Sequence, residues 1–101
     1  MARATQRPLL EARTILDEVG AFTRFVRLTR PGRTSPRSRV YTLRWETPLF
    51  EARTLLRNFG PQGTEGRLLA RTYPDEATAR REIRRLLRRR LQRGYQVVEW
   101  E

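Results

Sequence analysis

At Pro74 the hydrophobic pattern of this chain changes period. Residues 74–94 read PDEATARREIRRLLRRRLQRG, and Ala79, Ile83, Leu86, Leu87 and Leu91 recur in it at helical spacing. A proline followed by Asp75 and Glu76 suits a helix start, and Gly94 suits the position just past a helix end. Before Pro74 the pattern is one of short alternating runs. Residues 40–46 (VYTLRWE) are the clearest: Tyr41, Leu43 and Trp45 share one face, with Thr42, Arg44 and Glu46 on the other. Several strands, one long helix and a short closing strand at residues 95–100 (YQVVEW) predict an α+β fold, a small antiparallel sheet packed against one long C-terminal helix.

Residues 21–30 (AFTRFVRLTR) read as a strand, and residues 31–39 (PGRTSPRSR) as a loop carrying Arg33, Arg37 and Arg39. Residues 60–66 (GPQGTEG) form a turn, with three glycines and a proline in seven positions. Residues 67–73 (RLLARTY) follow as a strand, in a hairpin with the segment before the turn. That earlier segment, residues 49–59, fits strand or helix by spacing alone. It belongs to a near copy: residues 8–20 (PLLEARTILDEVG) and 48–60 (PLFEARTLLRNFG) agree at eight of thirteen positions at an offset of forty. Either the agreement is coincidence in an Arg/Leu-rich chain, or the segments are two strands with the same role. Residues 1–20 read as an N-terminal extension that adds a strand, and residues 21–101 as the domain proper.

The 101 residues carry 22 basic and 11 acidic side chains, a net charge of +11, and every basic residue is arginine. A genome favouring GC-rich codons explains the missing lysine. So does selection for a planar fork that grips phosphate and stacks on bases. The excess charge itself is informative, because self-repulsion destabilises a compact fold and suits a polyanionic partner. There is no cysteine or histidine, which excludes disulfides, thiolate nucleophiles, Ser-His-Asp triads, imidazole bases and most zinc sites. The basic start leads into no apolar stretch of the kind a secretory signal needs, and no apolar run is long enough for a membrane span. The expected setting is the cytoplasm, in association with the nucleoid.

On the predicted helix, Arg81, Arg84, Arg85, Arg88 and Arg89 oppose the apolar stripe. Arg90 falls on the apolar side by angle, so its head must extend to water or meet a partner. Eight arginines between Arg80 and Arg93 face a single glutamate, Glu82. Such a run is either a solvated face or a phosphate-binding one.

Phe59-Gly60-Pro61-Gln62-Gly63, then Gly66, Tyr73, an Asp-Glu-Ala helix start and Gly94-Tyr95 together resemble the WGR domain. Members carry a Trp-Gly-Arg-x-Gly turn between two strands, then an aromatic, a helix with an acidic start, and Gly-Tyr. The likeness covers about residues 22–98. It implies a WGR-like fold and DNA binding, since in DNA-dependent poly(ADP-ribose) polymerases this domain binds near strand breaks and sets the signature aromatic against a terminal nucleotide. Here that tryptophan is Phe59 and that arginine is Pro61, which cannot bind phosphate, so the resemblance implies the fold more strongly than end recognition.

The nucleic-acid-binding candidates are therefore Phe59, Gly60 and Gln62 at the turn, Arg44, Arg53, Arg57 and Arg67 around it, and Arg84 and Arg88 on the helix. Phe59 either stacks on a nucleotide or is a core aromatic at a strand end. Gly60, Gly63 and Gly66 serve positive-φ geometry or present amides to a phosphate. Trp45 and Trp100 read as core. Glu11 and Glu51 hold equivalent places in the two copies, but neighbouring arginines would depress both pKa values and remove any general acid. The sequence thus points to a small non-enzymatic DNA-binding protein, without cofactor or metal, in DNA repair or maintenance. DNA is preferred over RNA as partner, a protein-interaction module for an acidic partner is the alternative, and an edge strand offers a homodimer contact.

Overall fold

The computed structural model describes residues 3–4, 12–32, 37–46 and 53–101. In chain order these form β1 (Arg3–Ala4), α1 (Ala12–Asp17), a 3-10 turn (Val19–Ala21), β2 (Phe25–Arg30), β3 (Arg39–Trp45), β4 (Arg53–Pro61), β5 (Arg67–Tyr73), α2 (Glu76–Gln92) and β6 (Gln96–Trp100). The strands make one antiparallel sheet in the order β1-β6-β2-β3-β4-β5. The fold class is α+β, with the long C-terminal helix lying on one face of the sheet. No helix among the described residues is long and apolar enough to cross a membrane.

The helix forms where the period changes. Asp75 is its N-cap, with an extended backbone and a side chain that accepts the Thr78 N–H at 2.7 Å. Gly94, at φ +89°, turns the chain out of the last turn toward β6. The α2 stripe of Ala79, Ile83, Leu86 and Leu87 is buried against Val26, Leu28, Tyr41, Leu43, Leu55 and Val97 of the sheet. Burying each large aliphatic side chain stabilises the fold by roughly 1.5–3 kcal/mol. Ile15, Leu16, Val19 and Phe22 close the core beside α2, and Trp45 and Trp100 pack half-buried at its edge.

The two copies do not share a role. Arg13-Thr14-Ile15-Leu16 is helical, whereas Arg53-Thr54-Leu55-Leu56 runs in β4 between two partner strands. Ile15, Leu16 and Val19 recur at helical spacing and bury beside α2, while Leu55 buries alone between exposed or half-buried neighbours. Tertiary surroundings decide the outcome of a shared tetrapeptide frame. The N-terminal extension contributes both this helix and the two-residue strand β1 against β6. Arg39, expected in a loop, is the first residue of β3. Residues 8–11 and 48–52, with Glu11 and Glu51, and the loop residue Arg33 lie outside the described residues.

Candidate nucleic-acid interface

In a strand alternate side chains face opposite ways, so buried Leu55 assigns Arg53, Arg57 and Phe59 to the helix side of β4. Buried Tyr73 does the same for Arg67, Leu69 and Arg71 of β5. The register sets Arg71 beside Leu55, Leu69 beside Arg57 and Arg67 beside Phe59. α1 and the 3-10 turn flank α2 on the side away from β5, where the Arg84 guanidinium donates to the Leu16 carbonyl at 2.9 Å and to Asp17 at 3.1 Å. On its other side, α2 leaves this checkerboard of arginine and apolar side chains partly open.

That open strip is the floor of a groove whose wall is the flank of α2 carrying Glu82, Arg85 and, one turn on, Arg89. Part of it is a cleft of about 410 Å³ lined by Arg71, Tyr73, Thr78, Arg81, Glu82 and Arg85, among others. Glu82 is gripped by Arg85 through Nε at 2.9 Å and a second bond from Nη2. This bonding holds the Glu82 carboxyl below its usual range, helped by the charges of Arg71 and Arg57. Burial first, and then Glu82, push the Tyr73 hydroxyl up against the opposing pull of Arg71, Arg57 and Arg85. Glu82 is the one acid of α2 beyond its first turn, and Arg85 occupies it. Among the described residues Arg57, Arg67, Arg71 and Arg89 have no carboxylate partner.

Beyond this cleft the same face of β4 and β5 continues to the turn that joins them. There Gln62 donates its N–H to the Ser38 carbonyl at 2.7 Å, and Thr64 bonds back to Pro61 through both its N–H and its hydroxyl. Gly66 sits at φ +68°, and a Cβ there would lie 2.7 Å from the Phe59 carbonyl oxygen. Glycine is thus needed for the chain to fold back on Phe59. The Phe59 ring is half-buried, 6.1 Å from Tyr41 between centroids, and the Arg90 guanidinium lies 5.6 Å from it. Arg90 has met a partner as its helical angle required, with its Cζ 4.0 Å above the Tyr41 ring.

The structure therefore brings Phe59, Gly60, Gln62 and Arg67 together at the turn, with Arg57 in the next row. Arg53 shares the face of Phe59 but stands six residues up β4 from it, about 20 Å away, in a recess it lines with Arg24, Arg44 and Arg80. Arg44 is opposite Leu56 on the other face of the sheet. Arg84 is tied to α1, and Arg88 is exposed on the α1 side of the helix. Sequence reading does not name Arg71, and it places Arg85 and Arg89 only within the arginine run opposite the apolar stripe of α2. The signal was there, since Arg67 and Arg71 share strand parity while Glu82, Arg85 and Arg89 share a helix flank. Among the described residues no group of three or more acidic side chains that could hold a metal ion gathers, and arginine dominates the exposed side chains beside α2 and β5.

No curated protein and no solved structure matches the chain. A family model, the WGR domain, matches residues 22–100, from the last residues before β2 to the end of β6. This is a nucleic-acid-binding type of domain rather than a catalytic one. The match spans more than three quarters of the chain, and the chain belongs to the WGR domain family.

Proposed function

We propose that this protein binds DNA without catalysing a reaction on it, laying a phosphate backbone along the groove between α2 and β4–β5 and receiving a duplex end at the Phe59–Gly60 turn. The observation that carries this reading is the set of groove arginines without carboxylate partners, Arg57, Arg67, Arg71 and Arg89, leading to a half-exposed aromatic. A role at DNA breaks, and a place on the nucleoid, follow from the same reading. Pro61 supplies no phosphate contact, so end recognition rests on Phe59 and on the backbone of the turn.

The test is fluorescence anisotropy with an open duplex, a duplex closed by hairpins at both ends, and single-stranded RNA, each at several salt concentrations. Four phosphate contacts, from Arg57, Arg67, Arg71 and Arg89, give a log–log salt slope of about −3 to −4, and Arg57→Gln with Arg71→Gln lowers its magnitude by roughly 2. A wild-type slope near −1 refutes the groove. Tighter binding to the open duplex, reduced selectively by Phe59→Leu, supports end recognition; stacking of this kind is worth about 1–3 kcal/mol. Tighter binding to RNA reassigns the polymer, and no binding at physiological salt favours an acidic protein partner.

A further inference from the structure

Arg30 on β2 and Arg39 on β3 stand directly opposite each other in the sheet. Their parity with buried Leu28 and Tyr41 turns both toward the helix side. Like charges opposed across two strands are destabilising. Arg90 descends on the same patch from the last turns of α2, with Cζ 4.0 Å from the Tyr41 centroid and 5.5 Å from that of Tyr95. The Arg30 guanidinium lies 5.0 Å from Tyr95 too, and its stem runs along Gly94, where a Cβ would meet Arg30 Cδ at 3.7 Å. Two guanidinium groups thus share one aromatic ring, and Arg39 stands opposite Arg30 on the same face of the sheet. No carboxylate bonds to any of the three among the described residues.

Stacking uses the flat face of a guanidinium and leaves its N–H donors pointing outward in the plane. None of the Arg90 donors has an acceptor among the described residues. Arg30 gives Nη1 to the Arg93 carbonyl at 3.3 Å, but its Nε is buried without a partner, as is the hydroxyl of Tyr41. Partly desolvated cations lacking acceptors are unfavourable in the free protein. An anion seated among them relieves the repulsion and supplies the missing acceptors together.

We infer that Arg30, Arg39 and Arg90 form a binding site for a phosphate group, on the far side of Phe59 from the α2–β5 groove. A tetrahedral oxyanion offers a separate oxygen to each of three forks carried on one face, which a planar carboxylate does not. On the nucleic-acid reading above, this phosphate belongs to a strand passing the turn; the site itself rests on the arginine geometry alone.

The test titrates inorganic phosphate into the full chain at constant ionic strength held with chloride, following the arginine Nε–Hε signals in ¹H–¹⁵N spectra. The Arg30 and Arg90 signals are expected to shift and saturate, while Arg44, on the opposite face, stays still. Arg39→Gln is expected to melt above the wild type in chloride, because the cross-strand repulsion is gone, and to bind phosphate roughly tenfold more weakly. The site is overturned if Arg30 and Arg90 do not saturate, if Arg44 shifts equally, or if Arg39→Gln melts below the wild type in chloride. Saturation at Arg30 and Arg90 in a chain that binds no DNA upholds the site and refutes the nucleic-acid reading. Loss of duplex affinity in Arg39→Gln, with saturation in the wild type, supports both.

Discussion

Replacing Arg80 with methionine should be among the most damaging changes a single arginine of this chain can suffer, although the chain has 22 of them. Arg80 is a clamp between α2 and the segment entering β2. Its Nη1 donates to the carbonyls of Gly20 at 3.1 Å and Phe22 at 2.7 Å, and its Nη2 bonds Glu76 at 3.2 Å. Its Cζ lies 5.5 Å from the Phe22 ring centroid and 5.2 Å from that of Trp45. Methionine keeps the apolar stem and loses every polar contact. The Phe22 carbonyl would retain the Trp45 indole N–H at 3.3 Å, but the Gly20 carbonyl, in a buried residue, would be left with no side-chain donor. One charge-assisted bond to a part-buried carbonyl contributes about 1.5–3 kcal/mol, and each cation–π contact about 0.5–1 kcal/mol. The Glu76 side chain is 55% exposed, so its pair with Arg80 adds little. A loss of about 3 kcal/mol follows. At about 4–8 °C per kcal/mol for a domain of this size, Tm falls by about 12–24 °C. Urea unfolding followed by tryptophan fluorescence reads this directly, since Trp45 reports on the clamp. Arg81→Met is the control: Arg81 is exposed and bonds only Thr78, at 3.3 Å, so its cost should stay below about 0.5 kcal/mol. Equal stabilities for the two variants, with unchanged m-values, would refute the clamp.

Two further outcomes concern the turn and acid. Gly66→Ala forces a Cβ to within 2.7 Å of the Phe59 carbonyl at a positive φ; a loss of about 2 kcal/mol or more is expected in urea unfolding, and full stability would show that the turn refolds freely. Asp75 is held below its usual range by the Thr78 N–H, and Glu82 by its bonds to Arg85. Both carboxyls therefore have folded pKa values below the unfolded ones. Their stabilisation is complete above the unfolded carboxylate pKa of about 4 and is lost as pH falls through the folded values. Thermal melts should be level from neutrality to mild acid and then decline, with a shallower decline in Asp75→Asn, which keeps a capping oxygen, combined with Glu82→Gln; an unchanged acid slope in that double variant would contradict the assignment.

The long helix, its caps and the β4–β5 hairpin were legible because their signals are local: a period, a capping aspartate, and glycines where φ must be positive. The shared Arg-Thr frame of residues 13–16 and 53–56 was not, since a short apolar pair fits either structure until its neighbours decide. The site was half legible for a related reason. The resemblance to the WGR turn marked Phe59, with Arg57 and Arg67 as its neighbours, but whether an arginine is free depends on what lies across from it. Arg84 looked identical to Arg85 and Arg89 in sequence, and only the docking of α1 shows that Arg84 is bound to Leu16 and Asp17. The position of β6 between β1 and β2 was beyond reach, because no local signal names a partner strand so distant in the chain.

That position has a kinetic consequence. Arg27 and Glu99, joined by an ion pair across β2 and β6, are 72 residues apart, and closing such a loop costs about 4 kcal/mol of chain entropy. The pairs β2–β3, β3–β4 and β4–β5 join strands that follow one another in the chain. The meander should therefore assemble first, with α2 and β6 docking onto it later. The arginine-lined floor and the turn would then precede the helical wall that makes them a groove. In the reverse direction the wall would leave first, so that amides of α2 and β6 exchange through a partial opening that leaves the β4–β5 hairpin paired.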